Sequence, residues 1–98
     1  SVDLIRAAKL PFVLMHCTNL YPTPEKLIRL DGIRELKDSF PDAIVGLSDH
    51  SLTNYPAIAA VALGAQVIER HFTDTRKRPG PDIPCSMTPL ASKDTVLI

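Results

Sequence analysis

Short apolar runs alternate with amphipathic segments along the whole chain. Phe12-Val13-Leu14-Met15, Ala43-Ile44-Val45-Gly46-Leu47 and Ala65-Gln66-Val67-Ile68 carry no charged residue. Runs of that length and character predict strands buried on both faces, as in a parallel sheet covered by helices. From Glu25 to Ser39, Leu27, Leu30, Ile33 and Leu36 recur at three-residue steps. That stepping predicts a helix with one apolar stripe and charges opposite. Gly32 lies inside it, at a cost of about 1 kcal/mol against alanine, and Phe40-Pro41-Asp42 ends it. Pro56 to Leu63 predicts a second helix, with Pro56 in its first turn and Gly64 as its stop. Ser1 to Lys9 reads as the end of an earlier helix broken by Pro11. Thr88-Pro89 opens a last one, Thr88 as its N-cap and Pro89 as its first helical residue. Tyr21-Pro22-Thr23-Pro24 and residues 72–87, which hold three prolines and a glycine, are loops. The order is therefore αβαβαβα. This is the α/β class, with parallel strands joined by crossovers in either a barrel or an open doubly wound sheet. Periodicity alone does not choose between the two.

Composition narrows the function classes. Eleven Lys and Arg balance eleven Asp and Glu, so no electrostatic footprint for nucleic acid or an anionic membrane exists. The one basic run, Arg76-Lys77-Arg78, reads as a solvated loop. No apolar stretch approaches the ~20 residues of a membrane span. Cys17 and Cys85 lack CxxC spacing and suggest reduced thiols in a cytoplasmic protein. The chain starts at Ser1 without an initiator methionine, and its helical pattern is still running at Ile98. With no internal linker, residues 1–98 are expected to be one piece of a longer chain.

The chemistry lies just past the end of each apolar run: His16-Cys17-Thr18-Asn19, then Ser48-Asp49-His50, then Glu69-Arg70-His71. All three histidines sit at the carboxyl ends of expected strands, and in parallel α/β folds those ends share the face that carries the site. Two imidazoles with open positions suit a borderline divalent ion that leaves room for substrate. Asp49 has two readings of equal weight, a partner fixing a histidine tautomer or an N-cap of the following helix. Thr18 and Ser48 are helix caps on their plainest reading. Asn19, Tyr21 and Gly80-Pro81-Asp82 read equally well as turn residues. By itself this pattern reaches a metal-assisted enzyme on a parallel α/β scaffold.

The same residues carry a resemblance. His16-Cys17-Thr18-Asn19-Leu20-Tyr21-Pro22, Val45-Gly46-Leu47-Ser48-Asp49-His50, Ala60-Val61-Ala62-Leu63-Gly64-Ala65, Val67-Ile68-Glu69-Arg70-His71-Phe72-Thr73 and Gly80-Pro81-Asp82 resemble, in order, segments of the sialic acid (N-acetylneuraminate) synthase family. The resemblance runs from about Leu14 to Thr88. It implies a partial (β/α)8 TIM barrel, these residues forming its sixth to eighth strands and roughly its last three β/α units. A complete barrel takes about 250 residues. It also implies condensation of phosphoenolpyruvate with N-acetylmannosamine or a related sugar, giving a nine-carbon 2-keto acid and phosphate in a homodimeric parent. Under it, His50 and His71 match metal ligands for Mn2+ or Mg2+. Asn19 and Ser48 match contacts to phosphoenolpyruvate, while Tyr21 and Asp82 match residues near the acceptor sugar. Ile83 departs from the histidine that often follows Gly-Pro-Asp. The phosphate-holding lysines and the glutamate proposed as base lie on earlier strands of the family barrel, so the fragment alone is expected to be inactive. The rival expectations are a non-catalytic α/β binding or packing module and a zinc site built from His16, Cys17, His50 and His71. The zinc site ranks below, because closed tetrahedral sites usually draw on tighter ligand spacing.

Overall fold

The structure, a computed structural model, describes residues 1–96. Four helices, α1 (Val2–Ala7), α2 (Asp31–Ser39), α3 (Tyr55–Ala62) and α4 (Pro89–Val96), alternate with three strands, β1 (Val13–Cys17), β2 (Ile44–Asp49) and β3 (Val67–Arg70). The expected continuation of the last helix through Ile98 lies outside the described residues. The strands form one parallel sheet in the order β1-β2-β3, as the alternating pattern requires. No helix among the described residues is long and apolar enough to cross a membrane.

Each strand runs about two residues beyond its apolar run. Ladder pairs continue through Cys17↔Ser48 and Asp49↔Arg70, because backbone pairing does not require apolar side chains. Only β2 is buried along nearly its whole length. β1 and β3 each have a single neighbour and are partly exposed, so expecting both faces buried was wrong for them. Beside the open side of β1 lies a cavity of about 500 Å3 that includes Met15, Gly32 and Leu36. A second, of about 250 Å3, is bounded by Ala57, Val61 and Ile68 near β3.

The expected helix over 25–39 is also divided. A single 3-10 turn at Glu25–Leu27 precedes Arg29, whose φ of 54° breaks the helical path. The break shifts the phase of the stripe: Ile28 is 5% exposed while Leu27 is 45% exposed. α2 then buries Ile33 against Val45 and Leu47 of β2, with Ala60 and Ala65 completing the core. Pro56 sits in the first turn of α3, and Gly64 follows it at φ 100°. Ala57 and Ala60 are buried, and these small side chains let α3 approach the sheet closely.

Gly32 has a specific reason to lack a side chain. A Cβ there would lie 2.6 Å from the His16 ring, and that ring is fixed by donating from Nε2 to the Ile28 carbonyl at 2.6 Å. Gly32→Ala gains about 1 kcal/mol of helix propensity but must displace the imidazole. Overpacking of this kind costs about 1–3 kcal/mol. Urea unfolding of the full-length protein should therefore show a net loss of stability, and a gain would mean that His16 moves freely.

Candidate functional site

Alternation of side chains along a strand divides the sheet into two faces. Val45 and Leu47 face the helices, so Gly46 and Ser48 face the other way. Across the register they align with Met15 and Cys17 on β1 and with Val67 and Glu69 on β3. Gly46 is the floor of this face: a Cβ there would press on the Val67 carbonyl and lie 2.7 Å from Met15 Sδ. One layer higher, the buried Ser48 hydroxyl donates to Glu69 Oε1 at 2.6 Å.

Above that layer the strand ends bring His50 and His71 together, their ring centroids 5.3 Å apart and tilted by 59°. Tyr21 stands edge-on over both, 4.2 Å from the His50 centroid and 6.0 Å from that of His71. The Thr23 amide, donating to the His50 carbonyl at 2.8 Å, ties the Tyr21 loop to the end of β2. The fourth member is Asp82, whose Oδ2 lies 3.8 Å from His71 Nδ1. Its loop is closed at the base, where Met87 N donates to the His71 carbonyl at 2.7 Å and Thr73 N to Met87 O at 2.9 Å. The Ser86 hydroxyl and the Cys85 thiol both donate to the Asp82 carbonyl, at 2.8 and 3.2 Å. The loop that sequence marks by its prolines is thus a braced arm holding Asp82 at the site.

Burial, and after it the neighbouring His71, holds His50 below the usual histidine range, which favours the neutral ring. Burial likewise pushes the Tyr21 phenol up. Two imidazoles brought together at the strand ends are a suitable partial donor set for a divalent ion. Among the described residues no group of three or more His, Cys, Asp or Glu is arranged to hold a metal. The pair therefore supplies at most part of a coordination shell.

Of the residues expected at a site, His50, His71, Tyr21 and Asp82 meet directly. Ser48 lies a layer below, and Asn19 accepts the Cys17 thiol at 3.3 Å, with Cys17 Sγ 4.0 Å from His50 Nδ1. His16 does not join them. Its place on β1 turns it toward the helices and its proton goes to Ile28, so the convergence of all three histidines fails by strand alternation. That also removes His16 from any zinc set. Asp49 is neither a tautomer-fixing partner nor a helix cap: its Oδ1 accepts the Ser51 amide at 2.9 Å and its Oδ2 faces Arg70. Ser48 caps no helix, and the Thr18 hydroxyl braces the Leu27 and Ile28 carbonyls at 3.4 Å. Glu69 was missed. It stands two residues before His71 on β3, a spacing that puts both on one face once the strand is known to reach Arg70. Cys17 and Cys85 are free thiols.

The model of the NeuB family matches residues 1–96. The chain belongs to the NeuB family. Among NeuB-family relatives, the N-acetylneuraminate-9-phosphate synthase of Drosophila melanogaster is 41% identical over 83 residues, 85% of this chain and 22% of that protein. The N,N'-diacetyllegionaminic acid synthase of Campylobacter jejuni is 46% identical over 76 residues, 78% of this chain and 22% of its own length. Among solved structures, the sialic acid synthetase of Leptospira borgpetersenii, crystallised with citrate, superposes with a TM-score of 0.91 at 35% identity, covering 98% of this chain and 33% of that one. The spore coat polysaccharide biosynthesis protein SpsE of Bacillus subtilis gives 0.87 at 40% identity, with 96% and 27% covered. The chain spans about a quarter of the length of the curated relatives it matches.

Proposed function

We propose that this chain forms the last three β/α units of a (β/α)8 barrel in a synthase that condenses phosphoenolpyruvate with N-acetylmannosamine or a related amino sugar. The observation that carries the reading is the cluster of His50, His71, Tyr21 and Asp82 at the carboxyl ends of parallel strands, where such barrels place their sites. The open edges of β1 and β3 suit an arc whose neighbouring units lie elsewhere in the longer protein. Relatives named for making N-acetylneuraminate-9-phosphate and diacetyllegionaminic acid support a nonulosonic acid as product.

In that reaction the enol carbon of phosphoenolpyruvate bonds the aldehyde carbon of the sugar, water adds at the phosphate-bearing carbon, and phosphate leaves. His50 and His71 are the residues that would hold Mn2+ or Mg2+, which when bound supplies Lewis-acid polarisation of a carbonyl oxygen. Asp82, exposed on its braced arm, accepts hydrogen bonds from sugar hydroxyls and fixes the acceptor's orientation. Tyr21 walls the opening beside it. Asn19 and Ser48 offer neutral hydrogen-bonding groups to phosphoenolpyruvate, and Glu69 orients the Ser48 hydroxyl.

The test is a condensation assay on the full-length protein with phosphoenolpyruvate, Mn2+ and N-acetylmannosamine-type acceptors. The expected result is a 2-keto acid with one phosphate released per product, and no turnover by residues 1–98 alone. Absence of any 2-keto acid from the full-length protein would sink the reading.

A further inference from the structure

One residue before each of the two site histidines stands a charged residue on the opposite face of the sheet. Asp49 and Arg70 are ladder partners across β2 and β3, and their immediate successors in the chain are His50 and His71. Both charged side chains are removed from water, at 0% and 2% exposed, with Arg70 Nε 3.7 Å from Asp49 Oδ2. Neither of those two atoms has a hydrogen-bond partner. The good bonds of Arg70 go elsewhere: Nη2 donates to the Ser51 carbonyl at 2.9 Å and Nη1 to Asn54 Oδ1 at 2.8 Å. Asp49 Oδ1 in turn accepts the Ser51 amide at 2.9 Å. Ser51, the residue after His50, is therefore held by a side chain that grows from the residue before His71, and the same side chain lies against Asp49, the residue before His50.

We infer that the Asp49–Arg70 pair is a positioning device that fixes where His50 stands relative to His71, and so the geometry in which the two imidazoles face a shared ligand. The inference rests on the reading of those histidines as a divalent-metal pair. The pair leaves Nε and Oδ2 unmatched, while one arm of the guanidinium fork is spent on the Ser51 carbonyl just after His50 and the other on the Asn54 side chain. Arg70 is suited to this because the guanidinium offers several donors in fixed directions, where lysine offers a single point charge. Asp49 and Arg70 lie on the face of the sheet opposite Ser48 and Glu69, so they act through the histidines.

The experiment compares the full-length wild type with the paired apolar variant Asp49→Leu/Arg70→Met, with Arg70→Lys and with His50→Ala. Mn2+ affinity is read by electron paramagnetic resonance titration, and thermal unfolding is measured without metal. The paired variant, which leaves no unmatched buried charge, is expected to melt near the wild type yet bind Mn2+ roughly 10-fold to 100-fold more weakly, the usual loss when groups behind metal ligands are changed. Wild-type affinity in a folded paired variant would overturn the inference while leaving the metal reading intact. Should the paired variant not fold, Arg70→Lys decides: it keeps the charge but loses the fork, so weakened binding supports the inference and unchanged binding overturns it. If the wild type shows no Mn2+ signal that His50→Ala removes, the metal reading fails and this inference with it.

Discussion

Replacing His50 or His71 with alanine in the full-length protein is expected to lower metal-dependent condensation by more than about 100-fold, beyond the loss that outer groups around a metal usually cause. The two substitutions should differ in everything except that loss. His50 is buried, packed under Tyr21 and tied by its carbonyl to Thr23. Its removal opens a cavity and costs stability in the manner of other large-to-small changes, about 2–5 kcal/mol. His71 is partly exposed at the base of the Asp82 arm, so its truncation should cost little. Equal loss of turnover with unequal loss of stability is the signature of two ligands sharing one ion. Turnover retained by a folded His71→Ala protein would assign His71 a structural role instead. Assays run alongside denaturant unfolding separate these outcomes, and Mn2+ titration of the same samples shows whether metal binding falls with activity.

The parts of this arrangement legible in the sequence are those set by backbone order. Parallel strands put their carboxyl ends on one side, so His50 and His71 could be gathered from positions far apart along the chain, whereas Tyr21 and Asp82 read as turn residues until the resemblance placed them near the acceptor sugar. What could not be read is which face each residue takes, because that depends on where a strand ends. Ending the strands with their apolar runs at Met15, Leu47 and Ile68 left His16, Ser48 and Glu69 as undifferentiated strand-end residues. Extending the ladders to Cys17, Asp49 and Arg70 turns His16 inward and sets Glu69 beside Ser48. The start of α2 was hidden for a similar reason. The left-handed Arg29 is a single backbone choice within a pattern that otherwise repeats every three residues. Gly32, a propensity defect by sequence, is explained only by an imidazole arriving from another strand. The proposed ligand role of His50 and His71 came from resemblance: position along the chain located the histidines, and their chemistry suits a divalent ion.

Arg70→Ala is the substitution expected to damage the fold most. It strands the Asp49 carboxylate, 0% exposed, with only the Ser51 amide as partner, and it frees the Ser51 carbonyl and the Asn54 side chain together. Breaking a buried pair by removing one partner costs about 3–5 kcal/mol, because the remaining charge stays out of water uncompensated. That is a large share of the roughly 5–15 kcal/mol by which a folded domain exceeds its unfolded state. Asn54 also donates to the Ala91 carbonyl at 3.4 Å, so the disturbance should reach α4 as well as the β2–α3 loop. Equilibrium unfolding in urea should show the midpoint falling with little change in slope. Hydrogen exchange should speed first in residues 50–54 and at the start of α4. Removing Asp49 as well should recover much of the loss, since the cost lies in the unpaired charge and not in the missing side chain. A double variant no more stable than Arg70→Ala alone would show instead that the bonds to Ser51 and Asn54 carry the stability. In that case the guanidinium fork, more than its charge, holds the end of β2 beside the end of β3.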